Sequence, residues 1–153
     1  MKTIQLILAL AGVVLFAGCA PLGLGRLYPV AGPVSEQTPA PVYDVLLGPG
    51  LTAQVKLPGG QTYQGPRQTF KPDDPAANAM RADWDLIYGP GFFTANILGN
   101  GGVWHYNLTD PQGKHMAVEV LFHGNGYYNE GVARDEQDDV FKLTFHFQIG
   151  PGN

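Results

Sequence analysis

The side chains able to do acid–base or metal chemistry are few and widely spaced. His115, Glu119 and His123 recur at every fourth position. Along a strand, where side chains alternate faces at ~3.3 Å per residue, these three share one face but stand ~13 and ~27 Å apart. No two of them can grip a metal within that strand, although a cross-strand pair such as His105 with His115 or Glu119 could. His105 and His146 fall on the outward faces of other segments. The expectation is a set of solvated sheet residues with no metal and no other cofactor. Asp73-Asp74 and the acidic run from Asp135 to Asp139 lack the ligand spacing of a calcium loop and read as solvated turns. Ser35 is the sole serine and lies in a proline-rich stretch, which removes serine-hydrolase chemistry. Gly48-Pro49-Gly50, Gly89-Pro90-Gly91 and Gly99-Asn100-Gly101-Gly102 lack the following lysine and the strand-loop-helix setting of a phosphate loop. A formal net charge of -4 argues against a nucleic-acid partner. No catalytic residue is assigned, and the inventory points away from an enzyme.

Aromatic residues offer a different chemistry. Trp84, Tyr88, Phe92, Phe93, Trp104, Tyr127 and Tyr128 form an excess over what a small core needs. Phe92-Phe93 and Tyr127-Tyr128 are adjacent pairs, so in a regular strand one member of each faces outward. Exposed aromatics beside glycine loops suit a protein- or glycan-binding edge, and these four residues are the candidate binding surface.

Cys19 is the single cysteine, so no internal disulfide can form. Met1-Lys2 is a short positive start, and Ile4 to Phe16 is an apolar run broken only by Gln5 and Gly12. A spanning helix needs about 20 apolar residues, so this run fits a secretory leader better. The run ends in Ala17-Gly18-Cys19. These residues resemble the bacterial lipoprotein signal, with Phe16 where leucine is usual. The resemblance implies removal of residues 1–18 and acylation of Cys19, as with a palmitoyl chain, at a new N-terminus. Ala20, with no aspartate there, is similar to the outer-membrane sorting pattern. Several acyl chains give a stable anchor where one is marginal.

Residues 19–41 read as a lipidated tether. Pro21, Pro29, Pro33, Pro39 and Pro41 with Gly23, Gly25 and Gly32 discourage any regular element. Leu27-Tyr28-Pro29-Val30 is less linker-like and suits a short extended piece laid against the domain. The stretch from Leu27 through Gly32-Pro33 resembles one found after the lipidated cysteine of small proteobacterial outer-membrane lipoproteins. That resemblance implies an address and brings no activity.

The elements that must position these residues are strands. Gly at 21 and Pro at 13 of 153 residues exceed the usual ~12% and fall between alternating apolar runs, as turns do. Leu51, Ala53, Val55 and Leu57 alternate with polar residues, as do Trp104, Tyr106 and Leu108, then Met116, Val118, Val120 and Phe122. Phe141, Leu143, Phe145, Phe147 and Ile149 make the most regular strand. Val42–Leu47, Gln61–Gln64, Phe92–Leu98 and Tyr127–Arg134 are further strand candidates. Asp74 can cap a short helix opening at Pro75, the only helix-like segment read here. Residues 42–153 are therefore expected to form a single all-β domain, a small antiparallel meander barrel or tight sandwich with at most one short helix. The function expected is that of a non-catalytic binding or structural module of the envelope. Its domain would face the periplasm or the cell surface and meet an envelope protein or the cell wall, besides the bilayer that holds Cys19. The alternative is an inhibitor of an incoming hydrolase such as lysozyme, with glycine loops plugging a cleft.

Overall fold

The computed structural model describes residues 23–48, 51–71, 74–123 and 128–147. Eight antiparallel strands close into a barrel in which every strand pairs with its sequence neighbours. They are β1 (Gly23–Ala31), β2 (Tyr43–Leu47), β3 (Thr52–Lys56), β4 (Thr62–Gln68), β5 (Val103–Thr109), β6 (His115–Leu121), β7 (Asn129–Asp135) and β8 (Val140–Phe147). The all-β barrel expected from the alternation is thus the fold.

The first strand corrects the tether boundary. β1 lies within the stretch read as a spacer, yet it closes the barrel, with Leu27 opposite Tyr43 of β2 and Leu143 of β8. Its composition hides it for a physical reason. The inward positions are Gly23, Gly25 and Leu27, and the space a side chain would take at Gly23 belongs to Phe145: an added Cβ would lie 1.9 Å from the Phe145 ring. A Cβ on Gly25 would lie 2.7 Å from the Thr144 carbonyl oxygen. β1 therefore lacks the large-small alternation that marks the other strands. The folded unit begins at or before Gly23.

The lumen of an eight-stranded barrel is just wide enough for side chains to fill. Here Val45, Leu47, Val55, Leu108, Met116, Val118, Phe141 and Leu143 fill it, all essentially without solvent contact. Each such side chain stabilises the fold by roughly 1.5–3 kcal/mol on burial. Val34 closes one end, its backbone N–H donating to Asp139 Oδ1 at 2.8 Å.

A second apolar layer lies outside the barrel. Helix α1 (Arg81–Tyr88) belongs to the long β4–β5 crossover and packs on β7. Met80, Trp84 and Tyr88, four residues apart, bring one face of the helical segment down onto the wall, where Met80 and Trp84 join Val103, Leu121 and Val132. Gly89, at φ 107°, ends the helix with its N–H on the Asp85 carbonyl. Asp74 caps a short 3-10 turn at Pro75–Asn78 through the Ala76 N–H, as its sequence position suggests. Phe92–Leu98 is not the strand its alternation suggested. It forms a helical turn with wide i→i+5 bonding over Phe93–Ile97, started by Asp85 Oδ1 accepting the Phe93 N–H at 2.8 Å. Tertiary burial of Phe93 and Ile97 against the outer wall overrides the local strand pattern.

Candidate functional site

The outer layer converts the outward face of β6 into a buried one. Glu119 points away from the lumen but is only 3% exposed, because α1 covers it. It stands opposite His105 in the β5–β6 ladder. Trp84 Nε1 donates to Glu119 Oε2 at 2.6 Å, and His105 Nδ1 lies 3.0 Å from Oε1. An ionised carboxylate only accepts, so the tautomer that suits this contact is the one with the His105 proton on Nδ1. His105 and Glu119, weighed from the sequence as a cross-strand metal pair, meet instead in a hydrogen-bonded contact with the Trp84 indole as its third member. Among the described residues no group of three or more His, Cys, Asp or Glu is placed to hold a metal ion.

A second buried polar contact sits on the same wall. Asp83 of α1 is 1% exposed and forms an ion pair with Arg134 of β7. Burial raises the Asp83 pKa above its ordinary value, and the hydrogen bond and charge of Arg134 only partly oppose it. Asp83 Oδ2 and Arg134 Nε are both left without a hydrogen-bond partner. Beside them Trp84, Tyr88 and Phe92 form an aromatic cluster with centroids 4.8–5.7 Å apart. Tyr88 shares hydrogen bonds with the Gly131 backbone, and burial pushes its phenol pKa upward. A Cβ on Gly131 would stand 2.5 Å from the Glu119 carbonyl oxygen, so this glycine serves a close approach between β6 and β7.

Above His105 the crossover leaves a recess of about 180 Å³. Arg67, Phe70, Lys71, Leu98, Asn100 and His105 are among the residues lining it, and among the described residues no lining residue is acidic. The Arg67 guanidinium lies 4.5 Å from the centre of the Trp104 ring. Among the described residues neither Arg67 nor Lys71 forms an ion pair. Phe70 meets the His105 ring edge-on at 4.9 Å and separates this recess from a neighbouring one of about 160 Å³ that reaches Met80 and Glu119. The arrangement offers two cations, amide donors and an apolar wall to a small anionic group.

The residues singled out from the sequence are dispersed. Phe93 is fully buried, and Phe92 is half-buried in the aromatic cluster. Tyr128 is 82% exposed at the start of the β7 hairpin arm. Cys19 and Tyr127 lie outside the described residues, as does Asp73. His115 is exposed, 3.3 Å from Thr109 Oγ1, and exposed His123 is 3.2 Å from Glu130. The acidic turn is a structural staple: Asp135 Oδ1 accepts from the backbone of Gln137 and Asp139, while Asp139 holds Val34. Arg67, Phe70 and Lys71 were not singled out. Their one sequence signal is a basic pair flanking an aromatic across the end of a strand, which is weak.

No protein-family model matches this chain, and no curated protein matches it. A solved structure similar to it is that of an LTBP1 mutant in complex with leukotriene C4, at 12% identity and a TM-score of 0.42 over 95% of this chain and 80% of that chain. A likeness at this level carries nothing about ligand or activity.

Proposed function

We propose that this chain is a non-catalytic binding module of a bacterial envelope, tied to the outer membrane through acylated Cys19 and facing the periplasm or the cell surface. It engages an envelope component with the outside of its barrel. The observation that carries the binding reading is the contrast between the two faces of the wall. The lumen is filled by buried apolar side chains, whereas the recess at Arg67, Phe70, Lys71 and His105 opens outside it. The non-catalytic reading is supported by the use made of the buried histidine–carboxylate pair. His105 directs Nδ1 to Glu119, and Glu119 gives its other oxygen to Trp84, which suits a clasp joining α1 to the wall.

The test is capture of envelope material by immobilised protein starting at Ala20, comparing the unaltered chain with Arg67→Gln and Leu98→Asp. Arg26→Gln, on the far side of the barrel and facing Asp44, is the control. A component retained by the control and lost by the other two supports the reading. Equal capture by all variants contradicts it.

A further inference from the structure

We propose that the recess binds the phosphate of an anionic lipid headgroup, so that the barrel lies with one rim against the bilayer. This deepens the binding-module reading and rests on it.

The register of the strands defines the rim. Gly23 pairs with Leu47 and Phe147, Asn129 with Phe145, and Leu121 with both Val103 and Glu130. The start of β1, the ends of β2 and β8, the start of β7, the end of β6 and the start of β5 therefore lie together. The β2–β3 turn is at the same rim, and its Leu51 carbonyl accepts the Arg67 backbone N–H at 2.7 Å. So is the loop entering β5, where Gly102 accepts the Phe122 N–H. Three of the large apolar side chains exposed to solvent belong to this rim: Leu51 at 41%, Leu98 at 50% and Tyr128 at 82%. Arg67 and Lys71 stand among them, in a recess that no acidic side chain lines among the described residues. Among the described residues, Asp74 caps Ala76, Glu119 faces Trp84 and His105, and Glu130 faces His123.

Cations flanked by exposed apolar side chains match a bilayer interface, where aliphatic and aromatic groups enter the headgroup boundary and basic groups meet phosphate. The chain also enters the barrel at this rim. Four residue steps separate Cys19 from Gly23, and at ~3.5 Å per extended residue they reach no more than about 14 Å. A lipid on Cys19 thus holds the rim close to the surface, within little more than the ~8–10 Å over which its charge is felt. The net charge of -4 opposes membrane binding by the chain as a whole, so the attraction must be local to this recess.

The experiment is co-sedimentation of the lipid-free chain from Ala20 onward, which contains every strand of the closed barrel. It is offered vesicles of phosphatidylcholine alone, or of phosphatidylcholine mixed with phosphatidylglycerol, with and without soluble glycerol phosphate. Binding is expected only to the phosphatidylglycerol vesicles, weakened by salt. Arg67→Gln and Lys71→Gln should each weaken it about fivefold, Leu98→Asp should weaken it further, and Arg26→Gln should leave it unchanged. Equal binding to both vesicle types, or no effect of the Arg67 and Lys71 changes, overturns the proposal. Glycerol phosphate that displaces the protein at concentrations matching the lipid phosphate would assign the recess to a free phosphate ester and also overturn it. If vesicles fail while capture from envelope material still depends on Arg67, the lipid assignment falls and the binding-module reading stands.

Discussion

Glu119 of β6 stands directly across the ladder from His105 of β5, and its carboxylate is the shared acceptor for that ring and for the Trp84 indole of α1. One side chain on the outside of a barrel thereby ties two strands to the crossover. Replacing Glu119 with alanine leaves a buried indole N–H and an imidazole N–H without acceptors. Hydrogen bonds to charged groups contribute about 1.5–3 kcal/mol, so the unfolding free energy should fall by roughly 2–3 kcal/mol in urea titrations. A double-mutant cycle with Trp84→Phe should give a coupling above about 1 kcal/mol. Additive losses would show that the contact contributes nothing.

Asp83 predicts a pH dependence of opposite sign to an ordinary surface ion pair. Burial raises its pKa above 3.8 despite Arg134. The folded protein then holds the Asp83 proton more tightly than the unfolded chain. Its contribution to stability is fully present below 3.8 and is lost as pH rises through the folded pKa. The stability of the native protein minus that of Asp83→Asn should therefore fall as pH rises from about 3 to about 7. Urea midpoints across that range measure it, and a difference that grows with pH would mean that the Arg134 pair outweighs desolvation.

The strand at Gly23–Ala31 predicts where the domain can be cut. A chain beginning at residue 42 lacks β1 and leaves β2 and β8 as open edges, so it should aggregate or fail to show a strand spectrum by circular dichroism. A chain beginning at residue 20 should fold. Equal folding of the two would place β1 outside the stable unit.

Phe93 and Tyr128 should separate cleanly. Phe93→Ala opens a cavity in the outer layer and should cost about 3–5 kcal/mol. Tyr128→Ala, at 82% exposure, should change stability by less than about 0.5 kcal/mol. Thermal and urea denaturation read both.

Much of the barrel was legible in period-two alternation, because Tyr106, Leu108, Met116, Val118, Val120, Phe141, Leu143 and Phe145 all bury the face that their spacing selects. Three features escaped for different reasons. β1 complements Phe145 with glycines, so its inward positions carry almost no hydrophobic signal. Helix α1 is only eight residues long, and its signal, the Met80-Trp84-Tyr88 stripe, is shorter than the windows in which helical periodicity is secure. Phe92–Leu98 alternates like a strand, but Phe93 and Ile97 are buried four apart on a helical turn. The pairing of His105 with Glu119 was within reach of the sequence, since both lie on outward faces of consecutive strands. That Glu119 is buried was not, because burial depends on a helix the pattern did not reveal. A clue was present in β6, where Val118, Glu119, Val120 and Leu121 are buried on both faces.

The anchored address is tested most directly by the intact mass of the mature protein extracted from membranes, alongside incorporation of labelled fatty acid. The account predicts a chain that begins at Cys19, carries diacylglycerol and an amide-linked acyl group, and loses all label in Cys19→Ala. A mature protein that starts at another residue, or that bears no lipid on Cys19, would contradict it.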